Sequence, residues 1–206
     1  MKLKNLIVKN KVYILLLILI LAAVSSVIAD TKTGAAASRE YRIKAAFLYN
    51  FIKFIDWPQE KMPDNDEPII IGIVESEDFI KAFDPIKNKK VKGKKVILRK
   101  FDKLGEMDEN KDQSQWRHKI AALKECHILF FCHFANKKTQ NQIIKDLSGF
   151  SVLTVGQADG FLESGGNINF IKERQKVRFE INLKTSKQNE LKIKSRFLKL
   201  AIRVIK

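Results

Sequence analysis

Ile69-Ile70-Ile71-Gly72-Ile73-Val74 carries no polar side chain at any position. A strand with one face in water alternates apolar and polar residues, whereas an unbroken apolar strand is covered on both faces. His127 to Phe131 and Val152 to Val155 read the same way, and Lys95 to Phe101 supplies a further strand. Glu77 to Ile86, Ser114 to Lys124 and Lys137 to Leu147 stand between these strands with apolar residues at helical spacing. Strand and helix in alternation predict an α/β fold: one largely parallel sheet with helices on both faces.

The flanks of this block read differently. Upstream, Ile43, Phe47, Phe51 and Phe54 recur at helical spacing, with Leu48, Ile52 and Ile55 as a second apolar row. They predict a mostly buried helix from about Ser38 to Ile55, capped by Ser38 and stopped by Trp57-Pro58. Downstream, Asn167 to Ile171 and Lys176 to Leu183 alternate around Arg174-Gln175, which predicts an antiparallel hairpin added to the sheet. Phe197, Leu198, Ala201, Ile202 and Ile205 then predict a last helix from Ser195 to about Ile205.

The N-terminus is a targeting segment by pattern. Lys2, Lys4, Lys9 and Lys11 form a basic head, Val12 to Ala23 is unbroken apolar, and Val27-Ile28-Ala29 has small residues where signal peptidase cuts. The expected organisation is a signal peptide over 1–29, a linker over 30–37 and one α/β domain over 38–206. An uncleaved anchor is the competing reading; both place the folded part outside the cytoplasmic membrane, because the basic head stays inside. Removing the four head lysines takes the net charge from +16 to +12. Export removes nucleic acid as the partner for that charge. An anionic membrane surface, an acidic protein face and a simply solvated surface stay open, and the run Lys87 to Lys95 reads as a solvated loop.

No residue pattern selects a catalytic centre. Cys126-His127 and Cys132-His133 have zinc-ligand chemistry. They lie at the two ends of one strand, however, roughly 20 Å apart when extended, too far for one metal or for a disulfide. Gly160-Phe-Leu-Glu-Ser-Gly165 has the glycine spacing of a phosphate loop, but Gly166-Asn167 stands where Lys then Ser or Thr is needed. No serine lies in a G-x-S-x-G elbow, and His118 reads as a surface histidine of a basic helix. An exported hydrolase and a small-molecule binding module at the carboxyl ends of the parallel strands are the alternatives to a protein-binding role.

Several stretches together carry a resemblance. They are Arg39 to Pro58, Glu125-Cys126-His127-Ile-Leu-Phe130, Ser151 to Val155, Gly165 to Leu183 and Leu191 to Ala201. In this order they resemble the YfiR-like periplasmic proteins, with Arg178-Phe-Glu-Ile-Asn-Leu183 the most specific piece. The resemblance implies a periplasmic α/β protein that is not an enzyme and carries no cofactor. It implies a partner in the periplasmic part of an inner-membrane signalling enzyme, most simply a diguanylate cyclase that it holds off; a homodimer stays open. Arg178, Glu180 and Asn182 share one face of the hairpin's last strand and are the expected partner-binding residues. Family members often bond a first-strand cysteine to one at the start of the third strand. Here Cys126 is present, its counterpart falls at about Gly72, and two free thiols are expected.

Overall fold

The structure is a computed structural model that describes residues 37–62, 66–74, 77–86, 89–101, 104, 113–132 and 136–206. The expected signal peptide and His133 lie outside the described residues. The chain divides into units 1–40 and 41–206, and only residues 37–40 of the first are described, as the exposed first turn of helix α1 (37–54).

The elements of the second unit follow the expected alternation, with additions. After α1 come β1 (Ile55–Asp56), β2 (Ile69–Val74), α2 (Glu77–Lys81), β3 (Lys90–Val91) and β4 (Lys94–Phe101). Next are α3 (Gln113–Lys124), β5 (Ile128–Phe131), α4 (Lys137–Asp146), β6 (Leu153–Gly156), β7 (Ile168–Glu173) and β8 (Lys176–Asn182). The chain closes with α5 (Leu183–Gln188), β9 (Lys192–Ile193), α6 (Ser195–Leu198) and β10 (Arg203–Ile205). Eight strands form one sheet in the order β10-β8-β7-β6-β5-β2-β4-β3, and β1 pairs with β9 separately. Within the large sheet β7–β8 and β3–β4 are antiparallel and the other pairs parallel.

The unbroken apolar runs are buried on both faces, as their pattern requires. Ile69, Ile71 and Ile73 of β2, with Ile128 and Phe130 of β5, meet α1 and α2 on one side. Val74, Leu129 and Phe131 meet Ile120 and Leu123 of α3 and Ile143 and Leu147 of α4 on the other. In α1 the deepest seam is Leu48, Phe51 and Ile52, continued by Ile55 of β1, while Ile43 of the other row is 37% exposed. The Phe51 ring packs at 5.7, 5.5 and 5.2 Å from Phe170, Phe179 and Phe197, so this helix is fixed mainly to the end of the chain. Aromatic pairs in this range add roughly 0.5–1.5 kcal/mol each beyond their burial.

Three expectations are corrected. The last helix is a single turn: Lys199 and Leu200 continue it as a turn, and Arg203, Val204 and Ile205 then pair in parallel with Glu180, Ile181 and Asn182. Pairing to an open sheet edge wins over helical apolar spacing there. The Lys87 to Lys95 run is not a plain loop. Lys92 and Gly93, at φ 51° and 78°, turn a short hairpin in which Val91 is buried. The helix expected over Glu77 to Ile86 ends at Lys81 and continues as turns.

Candidate functional site

β8 alternates its faces. Phe179 and Ile181 point into the core under α1, which sends Arg178, Glu180 and Asn182 to the opposite face. Their surroundings diverge. Arg178 is exposed near the hairpin turn, its Nε 3.8 Å from a Glu173 carboxylate oxygen. Glu180 is half-buried and engaged by Arg203, the residue opposite it on β10. Arg203 Nε and Nη2 donate to the two Glu180 oxygens at 2.7 and 3.0 Å, a bidentate fork. Its Nη1 and Nη2 also donate to Glu163 Oε1 at 3.1 and 3.0 Å. The Glu180 and Glu163 carboxylates hold the guanidinium pKa above its ordinary value. Glu163 is lowered, first by a backbone hydrogen bond and then by Arg203.

Asn182 is buried and used internally. Its Oδ1 accepts from Thr185 N at 3.0 Å, capping α5, and its Nδ2 donates to Leu162 O at 3.0 Å. Ser186 Oγ donates to the Asn182 carbonyl at 2.8 Å, and Asn167 Nδ2 donates to Ser186 Oγ at 3.3 Å. Asn167 Oδ1 in turn accepts from Thr154 N and Oγ1. This buried chain of side chains fixes the start of α5 to β6 and β7, where an unpaired amide would be costly.

The face that remains outside therefore joins Arg178 and Glu180 to residues the sequence reading did not single out. These are Glu163 and Arg203; Leu200 and Ile202, 58% and 47% exposed, lie in the turn that leads into β10. The missed signal was Ala201-Ile-Arg-Val-Ile205, whose branched residues suit a strand as well as a helix. A charged fork on the terminal strand of a sheet, with exposed apolar side chains in the turn that leads into that strand, forms an amphipathic edge suited to a partner.

The strand-end cysteines do not form a site. Cys126 belongs to the core on the α3 side and Cys132 to the core on the α1 side; both are buried and neither is in a disulfide. Among the described residues no three His, Cys, Asp or Glu converge as metal ligands would. His118 is exposed. The glycines around Phe161 build a turn. Gly160 and Gly165 adopt φ 76° and 96°, and the amides of Ser164, Gly165 and Gly166 donate to carbonyls within the same turn. Those amides are unavailable to a phosphate.

Gly72 faces Cys126: a Cβ at Gly72 would lie 2.8 Å from Cys126 Sγ. That is about the separation of a Cβ and the distal sulfur in a disulfide. Gly72→Cys is therefore expected to bond to Cys126 in an oxidising compartment, leaving one alkylatable thiol where the natural chain has two. Burial pushes the Cys126 thiol up to about 12, so closure needs an oxidant acting before the core seals. Three alkylatable thiols in oxidised, folded Gly72→Cys would refute this pairing.

No helix of the described residues is long and apolar enough to cross a membrane. No curated protein matches the chain. Among solved structures, a conserved domain protein from Vibrio cholerae O1 biovar El Tor is similar at 12% identity with a TM-score of 0.42. That match covers 71% of this chain, and this chain spans 57% of the length of the other. Residues 41–202 match the YfiR/HmsC-like family from the first buried helix to the start of β10, and the chain belongs to that family.

Proposed function

We infer that this protein is a periplasmic regulator that binds the periplasmic part of an inner-membrane diguanylate cyclase and represses it. Membership of the YfiR/HmsC-like family over residues 41–202 carries this reading. The amphipathic β8–β10 edge supports a protein-binding role, with Arg178, Glu180, Arg203, Leu200 and Ile202 as the contact and Asn182 as the residue that positions it. A repressor must bind the inactive cyclase more tightly than the active one, since equal affinity shifts no equilibrium. Deleting the gene is expected to raise cyclic di-GMP, and deleting the cyclase as well to restore the baseline. The Leu200→Glu/Ile202→Glu variant, both positions already exposed, is expected to fold and to mimic the deletion. Unchanged cyclic di-GMP in the deletion strain would remove the regulator reading; a wild-type response from the variant would remove only the contact.

A second reading has one specific support. The strand order β4-β2-β5-β6-β7 is that of doubly wound folds that bind ligands where the connections diverge, beyond the carboxyl ends of the strands. At that end Lys44, a buried lysine, donates to Gln157 Oε1 at 2.5 Å, and Gln157 donates to the Cys132 carbonyl. A small-molecule binding role predicts a ligand-dependent rise in melting temperature that Lys44→Met abolishes.

A further inference from the structure

One surface beside the β1–β9 ribbon gathers positive charge from three separate elements. Lys53 closes α1, Lys90 and Lys92 lie on the β3–β4 hairpin, and Lys192, Lys194 and Arg196 follow α5. Contacts link them, three of them around one carboxylate. Asp56 Oδ1 lies 2.9 Å from Lys92 Nζ and 3.4 Å from Lys194 Nζ, and Asp56 pairs with Lys192 across the β1–β9 ribbon. Lys194 Nζ also donates to the Lys53 carbonyl at 3.3 Å. The Lys53 ammonium stands 5.3 Å from the Tyr49 ring, and the Tyr49 hydroxyl donates to the Lys90 carbonyl at 3.0 Å. Arg196 lies over Phe54 at 5.1 Å. Six cations thus share one surface, and Lys53, Lys90, Lys92, Lys192 and Arg196 are exposed on it.

We propose that this surface seats the protein on a bilayer bearing anionic phospholipid headgroups. The proposal rests on the exported, membrane-proximal reading above and adds an orientation to it. Two observations favour lipid over an acidic protein. Protein interfaces draw most of their energy from a few buried aromatic or apolar anchors, yet the rings that Lys53 and Arg196 lie against, Tyr49 and Phe54, are buried and half-buried and present no exposed anchor there. Five of the six cations are lysines, which suit a diffuse layer of phosphates, whereas a defined carboxylate partner favours the planar fork of arginine. Lysines near an anionic surface act additively and through screened Coulomb attraction, so the contact is sensitive to salt.

The test is co-sedimentation of the exported protein, as recovered from the envelope, with vesicles. One set contains phosphatidylglycerol and phosphatidylethanolamine; the other is phosphatidylcholine only. Binding is expected to the first set and not the second, and to fall away between about 0.1 M and 0.5 M salt. Lys53→Glu/Lys90→Glu/Lys192→Glu/Arg196→Glu, which spares the Lys92–Asp56–Lys194 cluster, is expected to weaken binding at least about tenfold. The control reverses the same number of exposed charges on α3 and α4, as Arg117→Glu/Lys137→Glu/Lys138→Glu/Lys145→Glu, and is expected to bind within about threefold of wild type. Thermal melts check that both variants fold. Equal loss in the two variants would overturn the proposal, since net charge alone would then govern. Equal binding to neutral vesicles, or capture by polyglutamate with no binding to anionic vesicles, would overturn it too. None of these outcomes bears on the cyclic di-GMP response to gene deletion, so the regulator reading stands or falls separately.

Discussion

Gly166→Ala is expected to destabilise the protein by about 3 kcal/mol, at the upper end for overpacking a rigid core. A Cβ at Gly166 would lie 2.1 Å from Phe161 Cε1 and 2.8 Å from the Phe161 carbonyl oxygen. The ring has no retreat. On its other side a Cβ at Gly156 would lie 2.4 Å from Phe161 Cδ2, and the ring is buried against Phe131. Phe161 therefore fills a slot walled by two glycines. Phe161→Ala is expected to cost about 3–5 kcal/mol through the cavity it leaves. Combining it with Gly166→Ala should cost clearly less than the sum, because the clash with the ring disappears. Urea unfolding of the four proteins measures the cycle. A Gly166→Ala loss under about 1 kcal/mol, or strict additivity, would show that the slot yields.

Acidification from pH 6.5 towards pH 4 is expected to remove about 3 kcal/mol of stability through His127 alone. His127 Nδ1 accepts from Ile70 N at 3.1 Å, so the proton is on Nε2, which donates to the Lys61 carbonyl at 3.0 Å. The neutral ring thereby ties the segment after Trp57-Pro58 to β2. Burial first, then the nearby Lys61 ammonium, lower its pKa from 6.5 to about 4. Between these values the unfolded chain binds a proton that the folded one refuses, so stability falls as pH falls; above pH 6.5 the difference vanishes. His127→Gln should be less stable at pH 7, by about 1–3 kcal/mol for the disturbed hydrogen bonds. It should also lose correspondingly less on acidification, carboxylate effects being common to both proteins. Identical pH slopes for the two proteins would dismiss His127 as the source.

How much of this was legible depended on whether the deciding contacts were local. β2, β5 and β6 were readable because burial on both faces leaves no polar position to blur the run. The β7–β8 hairpin was readable from alternation, although its turn residues, Arg174 and Gln175, are not glycine and still take positive φ. β10 was not readable. Phe197, Leu198, Ala201, Ile202 and Ile205 fit a helix, and only the edge of β8, with Glu180 opposite Arg203, draws Arg203 to Ile205 into a strand. For the same reason Arg178 and Glu180 were legible as candidates but the Arg203–Glu163 half of their surroundings was not. Asn182 stood on the expected face, yet its side chain turns inward to cap α5. The cue was Thr185 three residues on, in a segment with no apolar periodicity. The basic surface was half legible: the lysine run was conspicuous, but its convergence with Lys53, Lys192 and Arg196 depends on the β1–β9 ribbon.

The seating of Phe51 against Phe170, Phe179 and Phe197 has a consequence for the time course of folding. Its partners lie more than a hundred positions later in the chain, and loop closure over such a span must precede any reward from the contact. A chain delivered N-terminus first presents the apolar seam of α1 long before β7, β8 and α6 arrive to cover it. During that interval the seam is open to other chains, and collapsed states with exposed apolar surface aggregate. The fold therefore has a late, nearly simultaneous closing step, in which the first helix and the last third of the chain are buried together.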